Sequence, residues 1–139
     1  PVSVELEKPR PEIETLCAGA DLLLYSRGYV QHRGTHQDSE AERSPVAFLQ
    51  ARHHAFPMSE HTCTWGAEGA WGIDPDGELF QAPALVLSRV VDTLAAGDTF
   101  NAGMIHSKLA GLDLQHSLLY ACQLAGEKCA RQGLRGLRK

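Results

Sequence analysis

The stretch Val90–Gly103, VVDTLAAGDTFNAG, crowds small residues in front of a single acid. Ala95, Ala96 and Gly97 carry almost no side chain, Asp98 follows, and Thr99-Phe100-Asn101 opens a helical pattern reaching about Ala110, with Gly111 as its stop. Two readings of Asp98 are open. As an N-cap it would satisfy a first-turn N–H and contribute ~1 kcal/mol, with Thr99 and Asn101 helping. As a catalyst it would orient a substrate hydroxyl and accept its proton during phosphoryl transfer. The first N–H groups of a helix lack internal partners and carry the positive end of its dipole, so a phosphate could approach the bare main chain here. Spacing alone favours the cap.

Downstream, a second helical pattern runs from Asp113 to about Arg131, with Gly133 as its stop; Leu114, Leu118, Cys122, Ala125 and Cys129 recur on one face. Upstream, VSVEL alternates like a half-buried strand, and EKPRPEIETLC offers a helix with Ile13, Leu16 and Cys17 on its apolar side. ADLLLYS has the continuous apolar run of a parallel strand covered on both faces, followed by a short helix over RGYVQHRG. After the polar stretch Gln37–Arg43, Ser44-Pro45 opens the helix VAFLQARHHA, since proline is tolerated in a first turn. EHTCTWG reads as a strand, and Asp74-Pro75-Asp76-Gly77 punctuates an antiparallel hairpin. APALVL is also of strand size. Strands alternating with helices, then a helical pair, predict an open α/β layer structure with an antiparallel edge.

With 139 residues, one domain or a piece of one is expected. A net charge of −4 gives no basic footprint for nucleic acid. No apolar run approaches the ~18–20 residues needed to cross a bilayer. The four cysteines show no CxxC pair, which disfavours a zinc framework and suits a reduced, cytoplasmic compartment. His32 and His36 are four apart and His53 and His54 adjacent, but without acidic or cysteine partners at diagnostic spacing the histidines are expected at the surface. Asp74 and Asp76 lack the remaining ligands of a calcium loop. Trp65 and Trp71 are expected in core or hairpin packing.

DTLAAGDTFNAG resembles the signature of the ribokinase-type (PfkB) carbohydrate kinases, D-T-x-G-A-G-D-x-F. VSVELEKPRPEI, CTWGAEGAWGIDPDGEL and ACQLAGEKCARQG extend the resemblance through most of the chain and are similar to the ketohexokinase group within it. The resemblance implies the C-terminal part of a ribokinase-like three-layer α/β/α fold, with a mostly parallel sheet and a hairpin edge, and residues 1–139 as its nucleotide-binding portion. It implies transfer of the γ-phosphoryl group of ATP to a ketose, fructose giving fructose 1-phosphate. Asp98 would be the catalytic base and the amides of Ala95, Ala96 and Gly97 the anion hole. Gly66, Ala67 and Gly69 would lie along the nucleotide, and Cys122, Ala125 and Gly126 would line the adenine pocket. Magnesium would bridge the phosphates and potassium would bind near a strand carrying Asp92 and Thr93.

Read from the residues, Gly66 and Gly69 serve a turn equally well, and Cys122 and Gly126 serve close helix packing. Ala95 stands where the signature most often has glycine; if that position needs φ > 0, alanine costs on the order of 1 kcal/mol. The family's N-terminal half, with its glycine-pair sugar motif and the lid that often mediates dimerisation, is not recognisable, and LRGLRK departs from a hydrophobic close. An alternative is therefore a truncated, non-catalytic homologue that binds nucleotide weakly or acts as an interaction module.

Overall fold

The computed structural model describes residues 1–33 and 44–137. His36 and the polar stretch Gln37–Arg43 lie outside them. Five strands, β1 (Ser3–Leu6), β2 (Leu22–Tyr25), β3 (Glu60–Thr64), β4 (Ala70–Ile73) and β5 (Leu79–Ala82), form one sheet in that spatial order. β1, β2 and β3 are mutually parallel; β4 and β5 return antiparallel. All four residues of β2 are buried, as the continuous apolar run predicts for a strand covered on both faces. Asp74 makes the β4–β5 turn: its Oδ1 accepts from the Glu78 N–H at 2.9 Å, and Gly77 takes φ 82°.

Four helices complete the layers: α1 (Arg27–Arg33), α2 (Pro45–Ala55), α3 (Ala96–Leu109) and α4 (Leu114–Cys129). Ser44 caps α2, its Oγ accepting from the Ala47 N–H at 3.1 Å, and Asp113 caps α4 through the His116 N–H at 2.8 Å. Helices α1 and α2 cover the sheet face carrying Leu6, Leu23, Tyr25 and Cys63. Against the other face, with Leu22, Leu24, Ala70 and Ala82, lie Phe100 and Met104 of α3 and Leu114, Leu118 and Ala121 of α4. This is the expected α/β/α sandwich.

Three local expectations are corrected. The helix expected after β1 is a single 3-10 turn, Ile13–Cys17, entered through Glu12 at φ 63°. Residues 83–93, including the strand expected to carry Asp92 and Thr93, have no regular structure. Pro83 has no N–H to donate beyond β5, and the Val91 and Asp92 N–H groups donate to the Cys129 carbonyl at the end of α4 instead. Finally, His61 is fully buried rather than at the surface. Its Nε2 donates to the Phe56 carbonyl at 2.9 Å and its Nδ1 accepts from the Tyr25 hydroxyl at 3.3 Å. Arg52, also buried, joins Tyr25 at 3.4 Å and the Glu14 carboxylate at 3.4 Å, while the Tyr29 hydroxyl donates to Glu14 at 3.0 Å. Burial pushes the His61 imidazole down to about 4 and the Tyr25 phenol up to about 12. Trp65 is buried in the same core and Trp71 packs against it, as expected.

No helix among the described residues is long and apolar enough to cross a membrane. The four cysteines are free thiols, and three are buried.

Candidate active site

Helix α3 begins two residues before Asp98. Its N-cap is Ala95, at φ 60° and ψ 19°, with no side-chain cap; Asp98 is the third helical residue. The capping reading of Asp98 is thereby corrected, because an N-cap must precede the helical residues whose N–H groups it satisfies. The left-handed backbone at Ala95 is the case in which alanine costs about 1 kcal/mol against glycine. Thr99 steadies this turn, its Oγ1 donating to the Ala95 carbonyl at 2.8 Å.

A cleft of about 560 Å³ runs from this helix start along the sheet edge. Gly66, Ala67 and Gly69 of the β3–β4 turn form one wall, and Cys122, Ala125 and Gly126 of α4 form the facing one. Ala96 and Gly97 close its end. The structure thus gathers eight of the residues expected to touch nucleotide into one concavity. Sequence reading missed the third wall, Ala84–Leu87 with Val90; its signal, an apolar run after a proline, was indistinguishable from a strand.

The turn and packing reading is met at two of these positions. Gly69, at φ 91°, has no room for a Cβ against the Ala82 carbonyl, and Gly126 none against Leu85, so packing requires both glycines. Gly97 differs. Its φ is not positive, and nothing lies within 4 Å of where its Cβ would stand. No internal contact demands glycine there; what glycine preserves is open space at the helix N-terminus. The Ala96 N–H is turned back to the Thr93 carbonyl at 3.2 Å, so of the three amides expected to hold an anion it is already engaged.

Asp98 and Ala95 face away from the cleft, into a second, open hollow shared with Thr99, Ala102 and His106. Of the expected anion-hole residues, Ala96 and Gly97 line the cleft, while Ala95 shares the hollow with Asp98. The cleft itself is apolar, and among the described residues no acidic or basic side chain lines it. Desolvation raises the Cys122 thiol to about 11, and its Sγ donates to the Ala82 carbonyl at 3.7 Å, so it serves as a neutral wall.

Asp92 does not stand free beside this site. The Lys128 ammonium, only 1% exposed, donates to Asp92 Oδ2 at 2.6 Å and to the Asp92 carbonyl at 3.0 Å. The Leu94 N–H donates to Oδ1 at 2.9 Å and the Gly133 N–H to Oδ2 at 3.2 Å. The Lys128 bond first, then those two backbone donors, hold the Asp92 carboxyl down at about 2. Four hydrogen bonds from three donors leave Asp92 already neutralised, a poor fit for a potassium ion; Thr93 lines the cleft instead. Lys128 too was missed in the sequence. Its only signal is a charge placed three residues beyond Ala125, on the buried side of α4.

A family profile described as "pfkB family carbohydrate kinase" matches residues 7–138. Ketohexokinase from Mus musculus is 39% identical over 136 residues, 98% of this chain and 44% of that protein. In three dimensions the chain is similar to a PfkB protein from Polaromonas sp., with a TM-score of 0.70 and 18% identity over 98% of this chain and 44% of that one. It is also similar to ribokinase from Cryptococcus neoformans var. grubii solved in complex with ADP, with a TM-score of 0.68 and 22% identity over 82% and 41% of the two chains. The chain spans less than half the length of these relatives.

Proposed function

We propose, from the premise that this chain belongs to the pfkB family of carbohydrate kinases, that residues 1–139 are the C-terminal, nucleotide-binding portion of a ketohexokinase-like kinase. The complete protein would transfer the γ-phosphoryl group of ATP to the C1 hydroxyl of fructose, in the cytoplasm.

The observation that carries this reading is Gly97, a helical glycine that packing does not require, opening the end of an apolar cleft onto a helix N-terminus. A flat, uncharged base suits the small-residue walls formed by Gly66, Ala67 and Gly69 and by Cys122, Ala125 and Gly126. The phosphate chain then reaches the start of α3, where unpaired N–H groups and the helix dipole favour negative charge. Asp98 lines the hollow on the other side of the same turn, and there it would accept the proton of an incoming sugar hydroxyl without lying against the phosphate. Magnesium fits as a companion of the nucleotide. Among the described residues no group of three His, Cys, Asp or Glu side chains could hold it, so phosphate oxygens and water would be its ligands, and it would supply neutralisation of phosphate charge. Potassium has no part in this reading.

A specific observation favours a lesser role for the chain on its own. Among the described residues β1 pairs on one side only, and Ile105 and Leu109 on α3 are exposed. The hollow beside Asp98 is open, and among the described residues Ala95, α3, α4, Leu134 and Leu137 alone line it. By itself the chain would bind nucleotide weakly, without kinase activity, and the family's dimer contact would belong to the complete protein.

The test uses both lengths. In the protein carrying its N-terminal half, Asp98→Asn should lower turnover at least about a hundredfold while leaving ATP affinity nearly unchanged. Full turnover in that variant removes Asp98 from the mechanism. Robust formation of fructose 1-phosphate by residues 1–139 alone overturns the division of labour.

A further inference from the structure

We infer that Lys128 is a positioning residue for phosphate binding: its buried ammonium, through Asp92, fixes the segment that leads into the helix N-terminus beside Gly97. The inference rests on the nucleotide reading of the cleft. Residues 83–93 have no regular structure, and Val86, Val90 and Leu94 along or just beyond this stretch are 95%, 59% and 79% exposed. Leu85 packs against Gly126 near the start of the segment. Its far end, where the side chains are exposed, is tied down by Asp92.

The residue works as a four-way knot. Its N–H, with that of Val91, reaches the Cys129 carbonyl; its own carbonyl and Oδ2 receive Lys128; Oδ2 also receives the Gly133 N–H; Oδ1 turns forward to the Leu94 N–H. From Asp92 the main chain needs only the Thr93–Ala96 turn to reach the left-handed Ala95 and the first helical N–H groups. A side chain buried to 1% on α4 thus reaches past the helix end to fix amides on α3, which face the same cleft as its neighbours Ala125 and Gly126. A structural role alone would need no such aim. An apolar side chain at position 128 would fill the same space on α4 and leave the loop untied.

The test compares wild type with Lys128→Met, which keeps length and bulk, and with Lys128→Arg, which keeps charge. Asp92→Asn is the second variant in case Lys128→Met fails to fold. Two readouts are taken on the full chain: hydrogen exchange at the amides of residues 93–97, and titration with ATP and with adenosine. In Lys128→Met and Asp92→Asn we expect exchange at 93–97 to rise about tenfold or more while β2 and β3 stay protected. ATP affinity should fall about tenfold with adenosine affinity nearly unchanged, and Lys128→Arg should restore part of the difference. Equal losses for ATP and adenosine, or unchanged exchange at 93–97 in both variants, overturn the inference. If wild type discriminates ATP from adenosine not at all, the nucleotide reading fails, while the exchange result still decides whether Lys128 fixes the loop.

Discussion

On one face of the sheet Tyr25, Tyr29, Phe48 and Trp65 fill the space beneath α1 and α2, and Tyr25, His61, Arg52 and Glu14 pair with one another among them. On the other, Ala70, Gly72, Ala82, Gly103 and Ala121 bring α3 and α4 in close, and the space left over at their end becomes the cleft. At Gly103 a Cβ would stand 2.9 Å from the Ala121 Cα, so the two helices meet nearly backbone to backbone. Large residues and a buried polar network make a wall; small residues make a surface on which a ligand can lie. The first face holds the fold, and the second holds the cleft and the helix start at Ala95. A left-handed non-glycine residue occurs on each side, Glu12 before the 3-10 turn and Ala95 before α3.

The largest effect expected from this contrast concerns the closed face. In the unfolded chain His61 takes up a proton as pH falls through about 6.5, whereas in the fold it stays neutral down to about 4. Between those values the unfolded state binds more protons, so the contribution of His61 is complete above pH 6.5 and is lost as pH falls towards 4, by up to about 3 kcal/mol. Urea midpoints from pH 7 to 4.5 measure it. His61→Gln should flatten the slope, and an unchanged slope would break the assignment of that face.

On the open face Gly97→Ala should behave in the opposite way to a core substitution. The helix gains about 0.8–1 kcal/mol of intrinsic propensity and meets no clash, yet ATP affinity should fall about tenfold as the methyl enters the phosphate end. Gly69→Ala, by contrast, should destabilise the chain before any ligand is added, because its Cβ meets the Ala82 carbonyl. Thermal melts with and without ATP separate the two. Similar melts for both variants would erase the distinction between packing glycines and site glycines.

The smallest effect concerns the turn itself. Ala95→Gly removes the left-handed strain and should raise stability by about 1 kcal/mol, less the unfolded-state entropy of glycine. A loss of stability would mean that the Ala95 methyl makes contacts worth more than its strain.

Much of this was legible in the sequence because its signals are local. The β2 run, the Asp74–Gly77 turn, the Ser44-Pro45 start and the small-residue signature each reflect chemistry within a few residues. Residues 83–93 were misread because an apolar run becomes a strand only where a neighbour offers its main chain, and at its far end the Val91 and Asp92 N–H groups go to the end of α4 instead. His61 and Arg52 were hidden for a similar reason. A polar residue within an apolar segment announces burial only when its partners, here Tyr25, Glu14 and the Phe56 carbonyl, are known to lie across the fold. Asp98 was visible as an acid at a helix start, but whether it capped the helix or faced outward depended on where the helix began, and that was set by the conformation of Ala95.

One consequence follows from the thiol in the cleft wall. Thiolate is the form that attacks disulfides, peroxides and alkylating agents. With its thiol raised to about 11, Cys122 offers almost no thiolate near neutrality. Of the two thiols that line the cleft, Cys122 is therefore the one that burial turns into an inert wall, while Cys129 stands half-buried in the same lining.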